Sequence, residues 1–329
     1  MFEETLPADP TPGHRLPLKA FLQARRIIDP VFLNSPQYEC EPLSDALGSK
    51  LTLKLEVANP IRSFKGRGAD YLVKSIALSD KPLVAASAGN WGQALAYACR
   101  NQGQALIVFA SVNANPLKVE RMRAMGADVR LAGIDFDAAK IAAQRHAEDH
   151  GLRMVADGLD PEAAIGAGIM AMELVGSSLP YDAVLVPLGN GAMQTGVGRW
   201  FKAASPHTQV IAIQASGADA MEKSWRKGHL IVKDKVNTIA DGIAVRVPIQ
   251  EAVTDMAGTV DDVILVDDSD IISAMKLVFD RAGILLEPSG AAGVAALLVH
   301  RQRFAHSNIA TILCGGNITR EQFQSWVLS

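Results

Sequence analysis

The 329-residue sequence predicts an α/β protein with two open parallel-sheet lobes, on three observations. Short apolar runs alternate with amphipathic segments at a spacing that suits strand–helix–strand units, which build parallel sheets. With 49% hydrophobic and 20% charged residues, the chain can bury a large core, and at this length it divides into two lobes. Glycine-rich loops follow several of the apolar runs, where open parallel sheets keep their ligands.

The elements follow in order. The opening MFEETLPADPTPGHRLPLKAF is acidic and proline-rich and has no apolar core, so it does not read as a secretory signal. Residues 1–52 are expected to return to the larger lobe, formed with 156–329, while 53–155 form a smaller mobile one. In the smaller lobe KPLVAAS leads into WGQALAYACRNQG, ALIVFAS into LKVERMRAMGA, and DVRLAG into AAKIAAQRHAEDHG. Each predicted helix stops near a glycine (Gly103, Gly126, Gly151), as a left-handed cap requires. In the larger lobe DAVLVP, QVIAIQAS, DVILV and NIATILC read as strands, with an irregular stretch before the third. Thr319 and Gln322 have capping-box spacing for a final helix.

Composition also excludes partners. A net charge of −3 and scattered arginines (Arg121, Arg123, Arg130) give no footprint for nucleic acid. No apolar run approaches the ~18 residues a membrane span needs. Three cysteines (Cys40, Cys99, Cys314), odd in number and far apart, point to a reducing compartment, so the expected location is the cytoplasm.

Four loops stand out as candidates for chemistry: RSFKGRG (62–68), SAGNWG (87–92), LGNGAM (188–193) and LCGGN (313–317). Glycine and asparagine expose backbone amides and accept positive φ. LGNGAM follows a strand and precedes a helix, the setting in which amides and the helix dipole bind an anion. It lacks the third glycine of a dinucleotide fingerprint, Gln194 standing there, and no G-K-[ST] makes it a nucleotide P-loop. A small phosphate fits; so does a plain tight turn. SAGNWG suits a carboxylate, or equally N-capping by Ser87 or Asn90. His146 and His150 have i,i+4 spacing, but HAEDH lacks the glutamate of a metalloprotease helix and reads as a solvated face.

Six segments, S-F-K-G-R-G-A, A-S-A-G-N-W-G-Q-A, V-P-L-G-N-G-A-M, A-D-G-I-A-V, E-P-S-G-A-A-G and C-G-G-N, resemble in this order the motifs of the fold type II pyridoxal phosphate enzymes. Within that tryptophan synthase beta-like family they are most similar to the serine/threonine dehydratase and serine racemase branch. The resemblance implies pyridoxal 5'-phosphate in the cleft between the lobes and Lys65 as its Schiff-base lysine. It places Phe64 on one face of the ring and Gly242 on the other. Asn90 meets the ring's 3-oxygen, and Gly189, Asn190, Gly191, Ala192 and Met193 cradle the phosphate. Ser87, Ala88, Asn90 and Trp91 hold the substrate carboxylate, and Cys314 faces the pyridine nitrogen. Asn190 and Ala192 depart from the family's more glycine-rich loop. Glu287 either lines the pocket or merely precedes a helix.

The implied activity is dehydration and deamination of a β-hydroxy amino acid (serine, threonine or a bulkier analogue such as phenylserine) through an aminoacrylate to a 2-oxo acid and ammonia. A thiol cannot protonate the ring nitrogen, which favours a β-leaving group over a fully developed carbanion. Ala88 stands where racemases carry a serine, which speaks against racemisation. Gln214 and Ala220 occupy the positions of a divalent-cation site found in relatives, so no metal is expected, although Asp219 is nearby. Asn59 and Pro60 before the lysine suggest β-replacement or threonine-synthase chemistry as the alternative, against which Gly66 counts. A binding protein without turnover is disfavoured, since Lys65, Asn90 and Cys314 are all present. The short tail after Cys314 leads to the expectation of no regulatory domain, and the family resemblance to that of a homodimer.

Overall fold

The computed structural model describes residues 6–77, 79–176 and 180–328. Its strands are β1 (Gln37–Glu39), β2 (Lys50–Leu55), β3 (Leu83–Ala86), β4 (Leu106–Ala110), β5 (Asp128–Leu131), β6 (Ala183–Pro187), β7 (Gln209–Ala215), β8 (Asp262–Val266) and β9 (Asn308–Leu313). They form a six-stranded sheet, β1-β2-β9-β6-β7-β8, and a three-stranded sheet, β3-β4-β5. Every pairing is parallel except β1 with β2. The two parallel-sheet lobes read from the sequence are therefore the architecture of the chain.

Local sequence explains the elements. AVLVP of β6 is buried at all five positions, the signature of a strand covered on both faces. Gly103 and Gly151 are the left-handed caps of their helices, whereas Gly126 has positive φ one residue beyond the cap Met125. Thr319 and Gln322 exchange both bonds of the capping box. The amino-terminal segment belongs to the larger sheet through β1 and β2. Because β2 pairs with β9 as far as Leu55↔Leu313, the chain leaves that sheet after Leu55, so a boundary at 52/53 would cut a continuous ladder. It returns through a bridge of Met154 to Val84 at the rim of the smaller sheet.

Candidate active site

Lys65 opens the Lys65–Ser75 helix, and its turn is tied to the loop after β9: Phe64 N–H donates to the Cys314 carbonyl (3.0 Å) and Gly316 N–H to that of Arg62 (3.0 Å). Beneath the helix Arg67 is wholly buried. Its guanidinium donates to both Glu56 oxygens (2.9 Å each) and to Glu173 at 2.7 and 2.9 Å, and Lys54 Nζ completes the group on Glu173 at 2.5 Å. Burial alone would raise the Glu173 carboxyl, but Arg67 and Lys54 override it and hold it below the usual value. Two cations and two carboxylates thus neutralise each other, and the helix start is clamped to β2 and to the Pro161–Val175 helix.

The Lys65 side chain leaves that clamp for the cleft. Its Nζ lies 4.6 Å from the centre of the Phe64 ring and pairs with Asp157 Oδ2, while Asp157 Oδ1 is buried without a partner. Asp157 was not foreseen from sequence; the available signal was its place in A-D-G-L-D, a glycine turn following an apolar pair. Gly158 there has φ +89°, and a Cβ on it would come within 2.7 Å of the Asn190 carbonyl oxygen. This loop therefore leans on residues 188–193, which puts Lys65, Asp157 and the glycine turn on one wall.

That turn ends at Gly191, whose φ of +92° starts the Ala192–Ala204 helix. The N–H groups of its first turn have no intrahelical acceptor. A Cβ on Gly189 would meet the Gly242 carbonyl oxygen at 2.7 Å, and one on Gly242 would meet Ser289 Oγ at 2.7 Å. Buried Ser289 Oγ and both polar ends of the Gln194 amide lack partners. Gly189–Met193, Gly242 and Ser289 are thus brought together.

On the opposite wall the cap of the Asn90–Gln102 helix is Gly89, neither Ser87 nor Asn90. The Ser87 hydroxyl nonetheless accepts from the N–H groups of Gly89 (3.2 Å) and Gly92 (3.0 Å), a bond the loop geometry makes available from farther back. Ala88 packs against the core and Trp91 is buried with Nε1 unpaired. Asn90 instead turns to the cleft. Its Nδ2 donates to Glu287 Oε1 (2.7 Å) and its Oδ1 accepts from Asn317 Nδ2 (2.8 Å); Asn317 N–H donates to Glu287 Oε2 (3.1 Å). Glu287 thus lines the site, although it also occupies the cap position of the Pro288–Val299 helix.

Burial, then the Asp241 carboxylate, pushes Glu287 up to about 7 against the pull of Lys118 and the two amide donors. Cys314, also buried, has its thiol pushed up by the same desolvation and by Glu287, so it stays neutral. Lys118 and Arg121, on the Pro116–Ala124 helix of the smaller lobe, reach across the cleft to Asp241 (2.7 Å) and the Asn317 amide oxygen (2.9 Å), and Arg246 pairs with Asp137.

Other sequence candidates lie elsewhere. The half-buried His146 and the exposed His150 lie with ring centres 4.2 Å apart and planes tilted by 39°, beside Arg130. Asp219 pairs with Lys223 and Lys233, and Gln214 accepts from Glu222 N–H. A cavity of about 670 Å³ between Asn113–Leu117 and Thr319–Gln322 shares no residue with the Lys65 cluster and holds no buried polar group; the glycine turns and orphaned polar atoms are the better guide to the site.

Comparison with known proteins shows the family of the chain. A family profile described as pyridoxal-phosphate dependent enzyme matches residues 28–315. The chain is 30% identical to the biosynthetic L-threonine dehydratase IlvA of Pasteurella multocida over 92% of its length, covering 59% of that protein. It is 29% identical to a putative threonine dehydratase of Sinorhizobium fredii, covering 92% of both. Among solved structures it is similar to the processed threonine deaminase isoform 2 of Solanum lycopersicum (TM-score 0.86, 30% identity, 98% of this chain and 95% of that one) and to maize serine racemase (0.87, 27%, 93% and 95%). The chain spans about half to three-fifths of the first curated relatives it matches, 59% and 49%.

Proposed function

We propose, for a chain that belongs to the pyridoxal-phosphate-dependent enzyme family, a dehydratase and ammonia-lyase that converts a β-hydroxy amino acid to a 2-oxo acid and ammonia. The observation that carries the reading is the position of one amine, Lys65 Nζ, on the wall that also holds the 189–193 glycine turn at the start of the Ala192–Ala204 helix. The residues present fit the cofactor. A glycine turn at a helix start, whose first N–H groups have no intrahelical acceptor, suits its phosphate, the unpartnered Ser289 hydroxyl and the crowded Gly242 suit an aromatic ring, and a neutral thiol suits its nitrogen.

When bound, the cofactor supplies an electron sink for the electrons released at the substrate's Cα. The chain supplies everything else. Lys65 Nζ is the amine that tethers the cofactor and, once freed, the base for the Cα proton. Asp157 Oδ2 accepts the proton-bearing Nζ and keeps it on this side of the cleft. The N–H groups of Asn90 and Trp91 receive the substrate carboxylate, with Ser87 holding that turn in shape through the N–H groups of Gly89 and Gly92. Phe64 beneath Nζ excludes water from the base. Ala88 offers no second proton acceptor, so elimination is favoured over racemisation. Serine, threonine or a bulkier analogue such as phenylserine is the substrate.

Ammonia release from serine, threonine, phenylserine and 3-hydroxyaspartate, measured with and without an added thiol, tests the reading. Ammonia and 2-oxo acid from at least one, undiminished by thiol, is expected. Thiol capture in place of 2-oxo acid would shift the assignment to β-replacement, and no ammonia from any would overturn it.

A further inference from the structure

We propose that Glu287 is the positioning residue of this site: its carboxylate fixes the side-chain amide of Asn90 with Nδ2 toward the cofactor cleft, and protonation of Glu287 releases it. The inference rests on the reading that Asn90 serves the cofactor ring. An asparagine amide can flip end for end at little cost unless its neighbours distinguish oxygen from nitrogen. Here they do. Glu287 Oε1 accepts from Nδ2 at 2.7 Å and Asn317 Nδ2 donates to Oδ1 at 2.8 Å; reversed, oxygen would face carboxylate and nitrogen would face nitrogen. Asn317 is itself oriented, because its Nδ2 also donates to the Ile61 carbonyl (2.8 Å) and its Oδ1 accepts from Arg121 Nη1 (2.9 Å). Glu287 uses its second oxygen on Asn317 N–H at 3.1 Å, so both carboxylate oxygens are committed to donors. One Nδ2 hydrogen of Asn90 is then taken and the other is left for the cleft.

Space confirms how closely the parts are set. A Cβ on Gly315 would collide with Glu287 Oε1 and come within 3.2 Å of Asn90 Nδ2. Protonating Glu287 takes the charge out of both of its bonds and adds an O–H donor to a carboxyl whose near neighbours, Asn90 Nδ2 and Asn317 N–H, are themselves donors, so its hold on the Asn90 amide weakens. The charged groups around Glu287 are Asp241 and Lys118 from the two sides of the cleft, with the Cys314 thiol beneath. Asp241 disfavours its charge and Lys118 favours it, so loosening the Lys118–Asp241 pair of 2.7 Å, which joins the lobes, biases Glu287 toward protonation.

The test is the visible spectrum of the cofactor-loaded protein between pH 6 and 8, with cofactor affinity by titration and a thermal melt to establish folding. The wild-type band is expected to change through this range. In Glu287→Gln it is expected to stay constant, with cofactor dissociation raised about tenfold for the loss of one charge-assisted hydrogen bond. Lys118→Met, a milder change, is expected to move the wild-type midpoint to higher pH and leave the end-point spectra alone. A Glu287→Gln protein with the wild-type spectrum, pH response and affinity would overturn the positioning role while leaving the lyase reading intact. If Glu287→Gln does not fold, an unmoved midpoint in Lys118→Met overturns the role by itself. A wild-type protein that takes up no cofactor would overturn both.

Discussion

Lys65 and Arg67 stand two residues apart on one helix and face opposite electrostatic surroundings. Arg67 lies in a closed set: with Lys54, Glu56 and Glu173 it has every charge answered, and none of the four side chains is more than 4% exposed. Lys65 lies in an open set. Its partner Asp157 keeps one oxygen unpaired, Ser289 and Gln194 are orphaned nearby, and Glu287 is held far from its ordinary ionisation. The difference teaches which charges hold the fold and which are kept ready for chemistry, since buried polar groups without partners persist where a ligand completes them. The closed set is what allows the open one, because it fixes the helix on which Lys65 must be aimed.

The comparison can be broken at either end. Lys65→Ala removes the amine proposed to do the work and its ion pair with Asp157, but no member of the closed set. Ammonia release should fall roughly 10^4-fold or more while the urea midpoint stays near that of the parent. Arg67→Met leaves buried Glu56 without its guanidinium and Glu173 with Lys54 alone, and unfolding free energy should drop by about 3–5 kcal/mol in urea titration. If Arg67→Met left stability unchanged, the closed set would have no holding role.

The next two sharpen the contrast. The Glu287 value in the folded chain is raised, so its stabilising contribution is complete below the unfolded value of 4.5 and is lost as pH rises through about 7. Cofactor-free protein should lose about 3 kcal/mol from this group across that window, at ~1.4 kcal/mol per unit, and Glu287→Gln should lose none of it. Urea titrations at three pH values decide this. The Lys118–Asp241 pair joins the lobes with Asp241 63% exposed, so Lys118→Met should cost no more than about 1 kcal/mol. A loss as large as that of Arg67→Met would place this pair in the closed set.

What was legible in the sequence was local. Apolar runs named seven of the strands; the 189–193 turn and Cys314 stood out because glycine, asparagine or a lone reactive group sits directly after such a run, and Lys65 because two glycines and two arginines crowd it within seven residues. The short edge strand β1 and its neighbour β2, which follow a polar, proline-rich beginning, carry no such run-and-glycine pattern. Asp157 was not legible because its partner is 92 positions away, and Asn317 was visible only as part of C-G-G-N while its partner Asn90 lies 227 positions away. ADGIAV was singled out for Gly242, yet its aspartate, Asp241, matters as well, through Lys118, 123 positions distant. The capping role open to Ser87 or Asn90 went to Gly89 because the Asn90 side chain is drawn into the cleft by Glu287. Tertiary partners of this kind leave no periodicity to read.

The most direct measurement treats purified protein, reconstituted with pyridoxal 5'-phosphate, with borohydride and maps the modified peptide by mass spectrometry. The account predicts a yellow protein that bleaches, with the reduced cofactor attached to Lys65 alone. Attachment to a different lysine, or a protein that never acquires the visible band, would contradict it.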